Sequence, residues 1–245
     1  MPTRPVHLVV DAADPAGLAR FWAAALGWDV AAAESGEVDV WPAGFDYPDP
    51  AALPLVFVPV PEPKTGKNRV HLDLATTSAA HQAALVSRVQ DLGAAPADIG
   101  QGDVPWVVLT DPEGNEFCVL EPRASYSGTG PVAAVIIDST DPRALARFWS
   151  AAAGWLPDGR DGDLWGLRSP SGSGPYLELL RNGGARHGKN RLHIDLAPRR
   201  GDDPLNEVAR LLQLGATPAD VGQGDVPWTV LADPEGNEFC VLTPR

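Results

Sequence analysis

The sequence predicts an α+β protein of four βαβββ units, arranged as two tandem copies whose mixed sheets curve into cups. Three observations carry that prediction. Leu92–Leu120 recurs as Leu214–Leu242, changed only at Ala95/Thr217, Ile99/Val221, Val107/Thr229 and Thr110/Ala232, which marks an internal duplication. KNRVHLDLA at 67–75 likewise meets KNRLHIDLA at 189–197, and ARFW at 19–22 meets ARFW at 146–149. Each copy then divides again into a strand, a helix and short strands separated by turn residues. The copies span 1–123 and 131–245, with a linker at 124–130.

Taken in order, VHLVVD alternates as a strand, and Asp14-Pro15 supplies an N-cap followed by proline in the first helical turn. LARFWAAALGW continues as a helix ended by Gly27. Strands follow near Val38–Trp41 and Leu55–Val60, separated by a longer loop over Gly44–Ala52 that the second copy lacks. RVHLDLA opens the second unit, a helix covers about Ser78–Leu92 before Gly93, and three strands turn at GQGD and DPEGN. The two-residue period puts Val70, Leu72 and Leu74 under the helix and Arg69, His71 and Asp73 on the opposite, cup face. Trp22, Trp28, Trp149 and Trp155 flank the first helix of each copy and read as core anchors.

Composition bounds the partners. A net charge of −13 over 245 residues repels a phosphate backbone, so nucleic acid is not expected. No apolar run is long enough for a membrane helix, and MPTRPVHLVVDAAD has no apolar signal core, so a cytoplasmic protein without a membrane partner is expected. Cys118 and Cys240 stand at matching places inside strand-like EFCVL segments and are expected as reduced thiols. No Ser-His-Asp arrangement, phosphate-cradling glycine loop or dinucleotide fingerprint occurs.

HLVVDAADPAGLARFWAAALGW, the paired RVHLDL and RLHIDL strands and the DPEGNEFCVL segments resemble the vicinal oxygen chelate superfamily. That superfamily includes glyoxalase I, bleomycin-resistance proteins and extradiol dioxygenases, and the resemblance spans nearly the whole chain. It implies metal ligands at four places, which here fall on His7, Val56, His71 and Cys118 in the first copy and on Ala134, Glu178, His193 and Cys240 in the second. Neither set is the histidine and carboxylate quartet of glyoxalase I, so that activity is not expected. Two imidazoles and a thiolate, or Glu178 with His193 and Cys240, still offer three ligands for a divalent ion such as zinc, iron, nickel or manganese. If the units pair across the repeat, the sets become His7, His193 and Cys240 against Glu178, His71 and Cys118. The ligand count does not choose between the two arrangements.

The cup faces supply the remaining candidates. Arg69 and Asp73, with Arg191 and Asp195 in the second copy, flank the strand histidines and are candidate ligand contacts, or else satisfy those imidazoles by hydrogen bonds. Trp106 and Trp228 follow GQGDVP and are candidates to stack on an aromatic ligand, with strand geometry alone leaving the direction of Trp106 open. Glu178 and Glu116 are the candidate general bases. KTGKNR and RHGKNR are cationic loops that either attract an anionic group or form solvated faces. Two functions follow: binding of a small organic molecule in a cup, as in sequestration or resistance, or a metal-dependent lyase, isomerase or dioxygenase reaction. The protein is expected as a monomer built like a dimer, or as a homodimer. His7 against Ala134 and Val56 against Glu178 predict that its two pockets differ.

Overall fold

A computed structural model describes residues 3–32, 36–46, 49–183 and 188–245. The first unit runs β1 (Arg4–Ala12), α1 (Pro15–Leu26), β2 (Asp29–Ala32), β3 (Val38–Trp41) and β4 (Leu55–Pro59). The second runs β5 (Val70–Leu74), α2 (Ala79–Asp91), β6 (Ala95–Pro96), β7 (Val107–Thr110) and β8 (Glu116–Val119). A single 3-10 turn, Ala124–Tyr126, occupies the linker. The third unit is β9 (Val132–Ser139), α3 (Pro142–Ala153), β10 (Leu156–Pro157), β11 (Leu164–Arg168) and β12 (Tyr176–Arg181). The fourth is β13 (Leu192–Ala197), α4 (Pro204–Gln213), β14 (Thr217–Pro218), β15 (Thr229–Ala232) and β16 (Glu238–Val241).

The helices start and stop for the expected reasons. Asp14 accepts a hydrogen bond from the Gly17 amide at 2.9 Å, and Asp141 accepts one from Ala144 at 3.0 Å. Gly27 closes α1 in the left-handed region at φ 70°, where a side chain would strain the backbone. The second strand of each unit was less legible. β10 and β14 each contain two residues, one of them proline, and such short segments carry no alternation to read.

Pairing crosses the repeat. One eight-stranded sheet has the order β14-β15-β16-β13-β1-β4-β3-β2 and the other β10-β11-β12-β9-β5-β8-β7-β6. The first sheet, called A here, therefore joins unit one to unit four, and sheet B joins unit three to unit two. The seams are antiparallel: His7 faces Asp195 and Val9 faces His193 in sheet A, whereas His71 faces Ile136 and Asp73 faces Ala134 in sheet B. Within each unit the first and last strands run parallel, which makes both sheets mixed.

Both convex faces and all four helices share one apolar core that includes Leu8, Phe57, Leu72, Leu109, Ile137, Trp149 and Phe239. Trp149 is 1% exposed, and truncation of such a side chain to alanine costs about 3–5 kcal/mol. Its Nε1 donates to Asp233 at 3.1 Å, as Trp22 donates to Asp111 at 3.2 Å, so each first-helix tryptophan is tied to the DPEGN turn of its own copy. Trp22 and Trp155 are buried as expected, while Trp28 packs partly buried against the same core. The DPEGN turns also bridge the sheets. Glu113 accepts from the amides of Ala13 and Asp14 at 2.8 Å and from Arg191 at 3.0 Å, and Glu235 is bound in the same way by Thr140, Asp141 and Arg69.

Candidate functional site

Sheet A curves around a cavity of about 480 Å³ lined by His7, Val9, Val56, Val58, His193, Asp195, Trp228, Val230 and Cys240, among others. Register explains why these residues converge. One row crosses the sheet as Val230, Cys240, Asp195 and His7, and the next places His193 beside Val9 and Val56. The His7 Nδ1 lies 3.5 Å from one oxygen of Asp195, and the His193 Nε2 lies 3.6 Å from the other and 3.5 Å from the Cys240 sulfur. Burial pushes the His193 pKa down and so favours the neutral imidazole. Burial, with the Asp195 charge beside it, pushes the Cys240 thiol far up, so it stays protonated. Valines and Leu242 form the apolar part of the lining, Asp11, Glu37, Asp39, Lys189, Glu238 and Arg245 join the charged part, and Trp228 is exposed beside them.

The sheet B cup starts from the same trio, His71, Asp73 and Cys118, but its interior is filled. Val108, Cys118, Leu120, Ala134, Ile136 and Tyr176 pack there with Tyr126 from the linker. The Tyr126 hydroxyl donates to Glu178 at 3.0 Å, and the Arg160 Nη1 donates to the same carboxylate at 2.5 Å. The Arg160 guanidinium lies 4.7 Å from the Tyr176 ring centre and 5.7 Å from that of Tyr126. Burial raises the Glu178 pKa against the pull of Arg160. Burial and then the Glu178 charge push Asp73 up to about 7, while burial drives His71 down to about 3. Cys118 is pushed far up for the same reason as its counterpart. A cavity of about 700 Å³ lies elsewhere, between α1, α2 and the linker, and none of the sequence-predicted residues lines it.

The structure thus gathers His7, His193, Asp195, Cys240 and Trp228 at one cavity. It places Glu178, His71, Asp73 and Cys118 in the other cup, with Trp106 packed partly buried at its edge under Arg123. Arg69 and Arg191 leave the histidines and reach the carbonyls of Asp138 and Asp11 and the carboxylates of Glu235 and Glu113. An arginine satisfying the imidazole of its own strand is therefore not what forms. Glu116, the other candidate base, is engaged within the protein: it accepts from Lys64 at 2.9 Å and from the Asn68 amide at 3.1 Å. The cationic loops are likewise engaged internally, Lys67 with Asp138 and Lys189 with Asp11, both at 2.6 Å. Arg186 and His187 of RHGKNR, and Tyr47 and Pro48 of the longer first-copy loop, lie outside the described residues. Tyr126, Arg160, Glu37 and Asp39 were missed. A carboxylate inside the apolar run YLELL was the one available signal for the first two, because Glu178 buried there requires donors from somewhere.

His193, Asp195 and Cys240 offer ligand atoms within 4.8 Å of one another, as do His71, Asp73 and Cys118, so by distance alone each trio could hold an ion. The profile of the family described as "Glyoxalase-like domain" matches residues 7–120 and again 134–242. The chain belongs to the glyoxalase-like family. No curated protein is detectably similar to this glyoxalase-like chain in sequence. Among solved structures, a putative dioxygenase from Bacillus subtilis is 15% identical with a TM-score of 0.63, and the match covers 99% of this chain and 86% of that one. Glyoxalase I from Zea mays is 14% identical with a TM-score of 0.63, covering 98% and 92%. A point variant of the same maize enzyme gives 16% and 0.66, covering 98% and 94%. At such identities the likeness establishes the fold shared with these glyoxalase I and putative dioxygenase structures, and nothing about the reaction.

Proposed function

We propose that this glyoxalase-like protein binds a small organic molecule in the sheet A cup and holds it without turnover, as a sequestration protein of the cytoplasm. The observation that carries this reading is the contrast between the cups: one retains a cavity lined by both aliphatic and charged side chains, and Tyr126, Tyr176 and Arg160 pack into the other. A single chain already contains both sheets, so a monomer suffices.

A resident catalytic metal fits the donor chemistry poorly. Val56 offers no donor at one of the four family positions, and His7 stands outside the close cluster of His193, Asp195 and Cys240. The same trio also recurs in the filled cup, where Tyr126 and Ala134 occupy the space a substrate would need. His193, Asp195 and Cys240 therefore act as a desolvated polar floor that orients a bound molecule.

A thermal-shift screen of small organic compounds tests the reading. A ligand present at about a hundredfold over its Kd adds about 2.7 kcal/mol of stability. Val58→Trp, which projects an indole into the sheet A cavity, should abolish every shift while the protein remains folded. Shifts that persist in Val58→Trp, or a screen without a single shift, would contradict it.

A further inference from the structure

We propose that the occupant of the sheet A cup is an organic cation, an amine or guanidine carried on an apolar body, an assignment that rests on the ligand-binding reading above. The cavity lining carries five carboxylates, Asp11, Glu37, Asp39, Asp195 and Glu238, against two fixed cations, Lys189 and Arg245. Lys189 is already held by Asp11 at 2.6 Å.

Two of these carboxylates lack donors where a ligand would sit. Glu37 and Asp39 stand two residues apart on or beside β3, so their side chains share the cup face, and among the described residues neither forms a hydrogen bond or ion pair. Asp39 is half-buried, and burial followed by the Glu37 charge raises its pKa while His7 and Arg245 pull it down. At the floor, Asp195 is 6% exposed, and its Oδ1 has no closer donor than the Cys240 thiol and the His193 Nε2 at 3.6 Å. Buried carboxylate oxygens without donors are costly, and a donor supplied from the cavity removes that cost. Around these acids the surface is Val9, Val56, Val58, Val230 and Leu242, with Trp228 alongside. An ammonium or guanidinium therefore finds its counter-charges on β3 and at the Asp195 floor, while its hydrocarbon finds the valines. A carboxylate or phosphate ligand would meet an excess of like charge.

Sets of three compounds sharing one arylalkyl or alkyl body and ending in an amine, an alcohol or a carboxylate test the assignment by calorimetric titration of the intact chain. The amine should bind roughly tenfold or more tightly than its alcohol, and the carboxylate more weakly than either. The double substitution Glu37→Gln with Asp39→Asn should remove most of the amine's advantage and leave the alcohol unchanged, and added salt should weaken the amine alone. Alcohols or carboxylates that match or exceed the amines, with binding lost in Val58→Trp, would overturn the cation assignment and leave the cup reading standing. Binding indifferent to Val58→Trp, or none by any member of any set, would overturn both.

Discussion

The hydroxyl of Tyr126, in the linker between the copies, donates to Glu178 of β12 at 3.0 Å inside the sheet B cup. A linker residue is thereby built into the interior, and the fold uses it to close one of two cups that begin alike. Phenylalanine at 126 keeps the ring and removes the donor to a buried carboxylate. Tyr126→Phe should cost about 1.5–3 kcal/mol, read as a lowered urea midpoint at unchanged slope. Arg160→Met should cost more, because Glu178 would lose its charged partner. No loss of stability in either variant would mean that the plug does not hold the cup closed.

Crossed pairing makes the halves interdependent. A cut near Thr129 leaves β1 and β5 of the first half without β13 and β9, and leaves β13 and β9 of the second half without β1 and β5. Each half alone should self-associate or precipitate, and mixing the two should restore a one-to-one complex by sedimentation. Two folded, monomeric halves would refute the pairing.

Asp73 supplies a pH signature. Its folded pKa of about 7 exceeds the ordinary 3.8, so between those values the folded state keeps a proton that the unfolded chain has released. The contribution is fully present below about pH 4 and is lost as pH rises through 7, at up to about 1.4 kcal/mol per pH unit. Asp73→Asn, which stays neutral, should therefore be more stable than the parent at pH 8, with the difference shrinking toward pH 4. A difference independent of pH would contradict the assignment.

Glu235 joins the sheets through the Ser139 hydroxyl, the Thr140 and Asp141 amides and Arg69. Glu235→Ala removes these bonds together and should cost at least about 2 kcal/mol in chemical denaturation. Glu235→Gln should recover part of that by keeping one carbonyl acceptor. No loss in Glu235→Ala would show that hydrogen bonding at this turn is immaterial.

Repeats, capping residues and alternation made the units readable, because each is encoded within a few neighbouring residues. Val70, Leu72 and Leu74 point to the shared core as alternation required, and Asp14 and Gly27 bound α1 where expected. Which units pair was not readable, because His7 meets Asp195 only through a seam between distant segments. The candidate site was legible in part. His7, His193 and Cys240 do gather around one cavity, but Arg69 and Arg191 turned to the DPEGN glutamates, since a long side chain finds partners beyond its own strand face. The difference between the cups was visible as Val56 against Glu178, whereas Arg160 lies in a loop and Tyr126 in the 3-10 turn of the linker, and no local pattern encodes where either side chain goes.

Calorimetric stoichiometry of the best stabilising compound, measured on the parent chain, Tyr126→Phe and Val58→Trp, addresses the asymmetry of the two cups most directly. One molecule bound per chain in the parent and in Tyr126→Phe, and none in Val58→Trp, is the predicted result. Two molecules per chain, or undiminished binding in Val58→Trp, would contradict it.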